Sequence, residues 1–281
     1  MIKKAIIPVA GMGTRFLPIT KSSPKEMLPI VDKPVIQYIV EEAANSGIEE
    51  IILVTGKGKR AIEDYFDNDP ELNRILKQKG KNKELQEIKK LENLAKIVYV
   101  RQAEPLGDGH AILCAEHCIF PGEDFAVLFG DDIIDNQVPA LKQLIDVYQT
   151  TKTSVIGVQK VPRSEVSNYG VIDFSESTNN NDIFEITALV EKPELNQAPS
   201  SFGIIGKYVC NYDVLANIKK AAKSLDGEKR LIDGFIYMLN NNQKIFAKNI
   251  AGTRYDTGSK AGWLKANIAF SKINQDIIDS K

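Results

Sequence analysis

Gly11 and Gly13 follow the apolar run Ile6-Ile7-Pro8-Val9 and precede Arg15 and, ten residues further on, Lys25. Glycines let backbone N–H groups close on phosphate oxygens, and two cations offset the charge of a polyphosphate. The pattern predicts a nucleoside triphosphate site at the end of the first strand. It is not the dinucleotide fingerprint, because the third glycine is missing and Pro18 interrupts the helix that should follow. Nor is it the G-K-[ST] phosphate loop, since Lys25 follows Pro24.

Carboxylates stand at two other strand ends. The run 124–129 reads as a strand and delivers Gly130-Asp131-Asp132, while Arg254-Tyr255-Asp256-Thr257-Gly258 follows a second strand-like run. One aspartate from each would suit Mg²⁺, which takes one or two carboxylates and fills its octahedron with phosphate oxygens and water. Taken singly, each aspartate reads as a cap of a turn or helix. A third strand ends in Arg101-Gln102, followed by Gly107-Asp108-Gly109-His110-Ala111 at a helix start. The Gln102 amide both donates and accepts, which matches the edge of uracil, and a glycine amide such as that of Gly107 can reach the base.

His110, Cys114, His117 and Cys118 fall at helical spacing, with most on one side, and could pass for zinc ligands. One continuous helix does not converge four ligands on a tetrahedral point, so core packing is expected. Two histidines and no G-x-S-x-G elbow give a hydrolase triad little support.

The elements that must hold these residues alternate short apolar runs with longer amphipathic ones, the sign of an α/β chain with a largely parallel sheet. Strands are expected at 2–9, 50–55, 96–101, 124–129 and 153–159, and shorter ones near 170–174, 186–190, 203–209 and 244–250. Residues 34–45 read as a helix, with Pro34 near its first turn and Gly47 after its end. The Asn179-Asn180-Asn181 and Asn240-Asn241-Asn242 runs read as polar turns. No repeat or low-complexity linker interrupts the chain, so residues 1–281 read as one domain. The stretch 71–94 is charged and helical, with a thin stripe of Leu85, Ile88, Leu91 and Leu94. The tail 263–278 sets Trp263, Ala266, Phe270, Ile273 and Ile277 on one face, expected to cap the domain.

With 36 Lys and Arg against 37 Asp and Glu, the chain lacks the basic excess of a nucleic-acid binder. No apolar run approaches the ~20 residues of a membrane helix. Lys3-Lys4 before an apolar stretch resembles an export signal, but Gly11 and Arg15 cut it short. Three cysteines suit a reducing cytoplasm better than a disulfide framework.

The combination A-G-x-G-T-R-F-L-P over 10–18 with P-K-E-M-L-P-I over 24–30 resembles the sugar-1-phosphate nucleotidylyltransferases, and among them the bacterial UTP–glucose-1-phosphate uridylyltransferases. The resemblance runs through nearly the whole chain, in the family's order, and weakens after about residue 200. It implies a Rossmann-like three-layer α/β/α nucleotide-diphospho-sugar transferase fold with a mixed, mainly parallel sheet. It further implies a helical insertion at about 67–95, a sugar-binding half at about 160–250 and a C-terminal helix at about 259–279. The activity implied is attack of glucose 1-phosphate on the α-phosphorus of UTP, giving UDP-glucose and pyrophosphate, with Mg²⁺.

Carried over residue by residue, the resemblance puts Ala10, Gly11, Gly13, Thr14 and Glu26 on the nucleotide, with Gln102 and Gly107 at the base. Arg15 and Lys25 fall on the triphosphate, and Asp131 and Asp256 on the metal; Asp131 is preferred to Asp132 because the family uses the first aspartate. Glu191 accepts from sugar hydroxyls, Lys192 pairs with the sugar phosphate, and Gly170 of Y-G-V-I lies against the sugar. A cytoplasmic homodimer or homotetramer is implied. The chain departs from the pattern at Asp108, where Leu is usual. It departs again at Ser200-Ser201-Phe202-Gly203-Ile204-Ile205-Gly206 for S-N-L-A-I-x-G, and at Gly227 to Asp233, with Arg230 for Gln and Ile232 for Thr. The competing readings are a thymidylyl- or cytidylyltransferase on a related sugar phosphate and a catalytically silent regulatory paralogue. The insertion counts against thymidylyl transfer, and the retained Arg15, Lys25, Asp131 and Asp256 count against the regulator.

Overall fold

The computed structural model describes residues 1–175, 182–224 and 226–273. Its first strand, β1 (Lys4–Pro8), sends Ala5 and Ile7 to one face and Ile6 to the other, and both faces are covered. Such two-sided burial is what a continuous apolar run provides and an alternating one does not. Two two-residue strands, β2 (Pro29–Ile30) and β3 (Lys33–Pro34), lead into α1 (Val35–Asn45). Then come β4 (Glu50–Thr55), α2 (Arg60–Phe66), α3 (Pro70–Gln78), α4 (Asn82–Glu92) and β5 (Lys96–Arg101). They are followed by α5 (Asp108–Cys114), β6 (Phe125–Leu128), β7 (Asp132–Asp135), α6 (Ala140–Thr151), β8 (Val155–Lys160), β9 (Gly170–Ser175) and β10 (Ile183–Glu191). The second half closes with β11 (Phe202–Cys210), α7 (Asp213–Lys220), α8 (Leu231–Asn240), β12 (Phe246–Asn249), β13 (Thr253–Asp256) and α9 (Lys260–Ile273).

Nine strands form one sheet in the order β5-β4-β1-β6-β11-β8-β12-β10-β9. All but β10 and β11 point the same way, so the sheet is mixed and mainly parallel. Helices α1, α6 and α9 cover one face, meeting Ile7, Leu53 and Leu128. Helices α5, α7 and α8 cover the other, meeting Ile6, Val54 and Val127. The result is three layers with two apolar cores. Strand order reverses at β1, which has β4 on one side and β6 on the other, and a crevice opens beyond its carboxyl end.

The charged stretch 71–94 is two helices rather than one, α3 and α4, broken around Gly80. Asp69 caps α3 by accepting from the Leu72 N–H, and Asn73 donates to Glu92 to tie the pair together. Leu91 and Leu94 reach the α1-side core, while Leu85 and Ile88 stay half-exposed. Along α9, Ala266 and Phe270 are buried, Phe270 packing edge-on against Tyr38 and Tyr255, and Trp263 donates to the Pro29 carbonyl. The Ile273 side chain, Ile277 and the Asn179–Asn181 turn lie outside the described residues. The helix carrying His110 and Cys114 stops at Cys114, and His117 and Cys118 belong to a separate 3₁₀ turn, so the four do not share one helix.

Candidate active site

Three adjoining hollows make one cleft along the carboxyl edge of the sheet. The first, of about 400 Å³, is lined by Ala10, Gly11, Gly13, Thr14, Lys25 and Glu26 from the loop after β1. Gln102 and Gly107 line it from the segment after β5, and Gly130 and Asp131 from the turn after β6. The second contains Gly170 and Glu191 and shares Asp108, Phe129 and Asp131 with the first. The third holds Arg15 and Lys192 and shares Asn168, Tyr169, Arg254 and Asp256 with the second. Every residue that the resemblance assigned to the site therefore borders one cleft. The unexpected position is that of Arg15, which lines the far hollow with Lys192 rather than the hollow of its own glycine loop.

The first hollow has a charged floor. Lys25 Nζ donates to Asp131 Oδ2 at 2.5 Å, tying the glycine loop to the end of β6. Burial alone would lower the Lys25 pKa, but Asp131 and Glu26 outweigh it and the net displacement is upward. Burial likewise pushes Asp131 up, and Lys25, Arg254 and Arg15 together bring it below the usual carboxylate range. Glu26 is buried and accepts from Lys59 Nζ at 2.6 Å. Desolvation dominates this second pair, raising Glu26 and lowering Lys59 against their mutual attraction.

Lys59 was not expected from sequence. Its signal was present as Gly56-Lys57-Gly58-Lys59 after β4, a second glycine pair with a cation at the end of a strand.

In the segment after β5, Gln102 is 5% exposed; its Nε2 donates to the Gly107 carbonyl at 3.0 Å and lies 3.0 Å from His110 Nδ1. The Gly107 backbone lies at φ +100°, and a Cβ there would stand 2.4 Å from the Lys229 carbonyl oxygen. Only glycine fits so close to another backbone. Lys229 N–H donates to the Leu106 carbonyl and His110 N–H to the Lys229 carbonyl, while Asp108 Oδ1 accepts from the Leu231 N–H at 2.7 Å. The departures at Asp108 and Arg230 thus sit on a seam joining the loop after β5 to the start of α8. Burial pushes the Asp108 pKa up to about 6.

Where the second and third hollows meet, Glu191 and Lys192 lie 3.5 Å apart, and the Lys192 N–H donates to the Tyr169 carbonyl. A Cβ on Gly170 would stand 3.0 Å from Glu191 Oε2 and 2.7 Å from Ile232 Cδ1, so the glycine leaves room above an apolar floor. Arg254 pairs with Asp132 at 2.7 Å and lies over the Tyr169 ring at 5.0 Å. Asp132 also accepts from the Gly206 N–H and is buried, which ties it into the frame; it lines the second hollow only, whereas Asp131 lines the first and the second.

Strands β7 and β13 pair antiparallel with Asp132 opposite Asp256, and this brings Asp131 and Asp256 together. A Cβ on Gly258 would lie 2.7 Å from Asp131 Oδ2 and 3.0 Å from Asp256 Oδ1. The two oxygens are no further apart than the sum of those distances, across a space that only glycine leaves open. Burial, then the nearby Asp132 and Asp131, raise the Asp256 pKa in spite of Arg254. Asp256 is thus short of positive charge, and beside Asp131 it offers hard oxygens of the kind that suit a divalent cation completed by phosphate oxygens.

A glycine loop at the sheet's switch point, paired cations and two convergent carboxylates define a site for transfer of a nucleotidyl group. The chain matches the model of the nucleotidyl transferase family over residues 4–272 and belongs to that family. It is 49% identical to the UTP–glucose-1-phosphate uridylyltransferase of Bacillus subtilis (strain 168), over 99% of this chain and 94% of that protein. It is 52% identical to UTP–glucose-1-phosphate uridylyltransferase 1 of Staphylococcus saprophyticus, over 96% and 93%. Among solved structures it resembles a UDP-glucose pyrophosphorylase complexed with UDP-glucose, with a TM-score of 0.88, 39% identity and coverage of 98% and 100%.

Proposed function

We propose that the chain makes UDP-glucose and pyrophosphate from UTP and α-D-glucose 1-phosphate. The observation that carries this reading is the continuity of the cleft: the hollow of the glycine loop and the hollow of Glu191 meet at Asp131. UTP would lie in the first with its α-phosphorus at that junction, and glucose 1-phosphate would enter from the second. An oxygen of the sugar phosphate attacks the α-phosphorus, and the bond to the bridging oxygen of pyrophosphate breaks. That nucleophile needs no general base, because a phosphate monoester is largely ionised above its second pKa of ~6.

Lys25 and Arg15 neutralise the triphosphate and the leaving pyrophosphate, Arg15 reaching them from the third hollow, and Lys192 holds the incoming phosphate. Work of this kind is positioning and charge neutralisation. Gly170 and Glu191 receive the sugar, and Ala10, Gly11, Gly13, Thr14, Gln102 and Gly107 the nucleotide. Glu26 acts through Lys59 beneath that loop. Asp131 and Asp256 would hold Mg²⁺, which when bound neutralises developing charge on the phosphate oxygens. We further propose a homodimer or homotetramer, which sedimentation at enzyme concentration would test. Among the described residues no helix is long and apolar enough to cross a membrane.

Pyrophosphate release with glucose 1-phosphate and Mg²⁺, run in parallel with UTP, dTTP, CTP and ATP, tests the reading. Turnover strongly favouring UTP is expected. Preference for another nucleotide would reassign the base, and absence of turnover with all four would overturn the activity.

A further inference from the structure

Gln102 is held in a way that its amide alone does not dictate. Its Nε2 lies 3.0 Å from the Gly107 carbonyl oxygen and 3.0 Å from His110 Nδ1. A peptide carbonyl only accepts, so the amide nitrogen must face Gly107, and this fixes which end of the side chain is which. The same nitrogen then gives its second proton to His110, whose Nδ1 must accept it. That requires the neutral imidazole with its proton on Nε2. Both amide protons are thus used inside the protein, and no described residue donates to Gln102 Oε1. Since Gln102 lines the nucleotide hollow, its carbonyl oxygen is what it offers there.

We propose that His110 makes Gln102 an acceptor-only reader of the base, and so is a specificity-determining, positioning residue. The inference rests on the proposed use of UTP. The N3–H of uracil donates to a carbonyl oxygen, whereas N3 of cytosine bears a lone pair and opposes it. With His110 gone, Gly107 still holds one amide proton, but the other is released and can swing toward the hollow. It would then donate to N3 of cytosine, and discrimination between the pyrimidines would weaken. His110 itself touches no substrate in this scheme. A site whose polar groups are all committed rejects the mismatched ligand because that ligand leaves groups unpaired. Thymine shares the N3–H, so His110 has no part in separating UTP from dTTP.

The test is competition between UTP and CTP with glucose 1-phosphate, which reads the ratio of the two kcat/KM values directly. The ratio is expected to fall by roughly tenfold or more in His110→Leu, which removes the acceptor. It should stay near the wild-type value in His110→Asn, whose Oδ1 can stand where Nδ1 stood. A uniform loss on both nucleotides with the ratio unchanged in His110→Leu would overturn the proposal. Should His110→Leu fail to fold, ¹⁵N spectra of the intact protein decide the matter: a protonated Nδ1 overturns it, and an Nε2–H tautomer supports it. Wild-type protein inactive on UTP would sink the reading beneath the inference, whereas an active wild type beside an unaltered ratio in His110→Leu sinks the inference alone.

Discussion

The two ends of the cleft, proposed for nucleotide and for sugar, differ in how far the lysines proposed to meet substrate are committed before one arrives. At the nucleotide end Lys25 is already on Asp131, Lys59 on Glu26, and both protons of the Gln102 amide are held. At the sugar end Lys192 has a side chain 54% exposed and, among the described residues, an ion pair with Glu191 alone, at 3.5 Å; the Lys25 side chain is 22% exposed. Burial explains the contrast. A cation taken out of water needs a partner or it shifts toward neutrality, while an exposed one stays solvated. Lys25 is therefore fixed before a ligand arrives, whereas Lys192 would acquire its order from the phosphate it is proposed to meet. This accords with one chamber reading a planar base and triphosphate, and the other a hydroxylated ring set over Ile204 and Ile232.

The strongest way to break this contrast is Lys25→Ala. It removes the cation proposed to face the triphosphate and releases Asp131, and kcat/KM for UTP is expected to fall about 10³-fold. Steady-state kinetics against both substrates would check it, and a loss confined to KM for glucose 1-phosphate would reverse the assignment of the two ends. Next is Glu26→Ala, which strands Lys59 in the interior. An unpaired buried charge costs roughly 3–5 kcal/mol of stability, to be read by urea unfolding. The double variant Glu26→Gln with Lys59→Met should recover most of that loss, because no charge remains to be matched. If Glu26→Ala is instead as stable as wild type, the pair is not the buried support inferred here.

At the sugar end the expected effect is smaller. Lys192→Ala should lower kcat/KM for glucose 1-phosphate about 10²-fold and leave KM for UTP nearly unchanged. Equal damage to both substrates would mean that the ends are not separable in the way their burial implies.

What the chain reveals before folding follows the same division. The parallel strands announce themselves as apolar runs, because burial on both faces leaves few polar positions. The glycine loop and Lys25 are close in sequence, so their joint chemistry is legible from local spacing. Three things were not. Lys59 looks like surface charge until α2 and the loop carrying Glu26 close over it. The meeting of Asp131 with Asp256 depends on β7 and β13, four-residue strands over a hundred positions apart, and no local period encodes such a pairing. The commitment of the Gln102 amide depends on a histidine eight residues away, across a loop held by the Lys229 backbone. The motif was visible in each case; the partner that sets its electrostatic state was not, save for Asp256, which the family resemblance had supplied.

Asp108 tests whether the seam between the two ends follows the same logic, with the smallest effect. It accepts from the Leu231 N–H, faces Glu191 across the cleft, and has a pKa raised to about 6 from an ordinary 3.8. Burial is the main cause, with Glu191 adding to it and the Leu231 N–H and Arg230 opposing. A carboxyl raised in this way binds its proton more tightly when folded than when unfolded. Its contribution is fully present below 3.8 and is lost as pH rises through about 6. Asp108→Asn keeps the acceptor for Leu231 and removes the charge. It should therefore match wild type in acid and be more stable by about 1–2 kcal/mol above pH 6, a figure discounted for the partly open position of the side chain. Urea midpoints at the two ends of that pH range would check the sign. A variant less stable than wild type at neutral pH would mean that the ionised carboxylate is held by the Leu231 N–H and Arg230 more firmly than burial opposes it. The seam would then belong with the committed nucleotide end and not with the open sugar end.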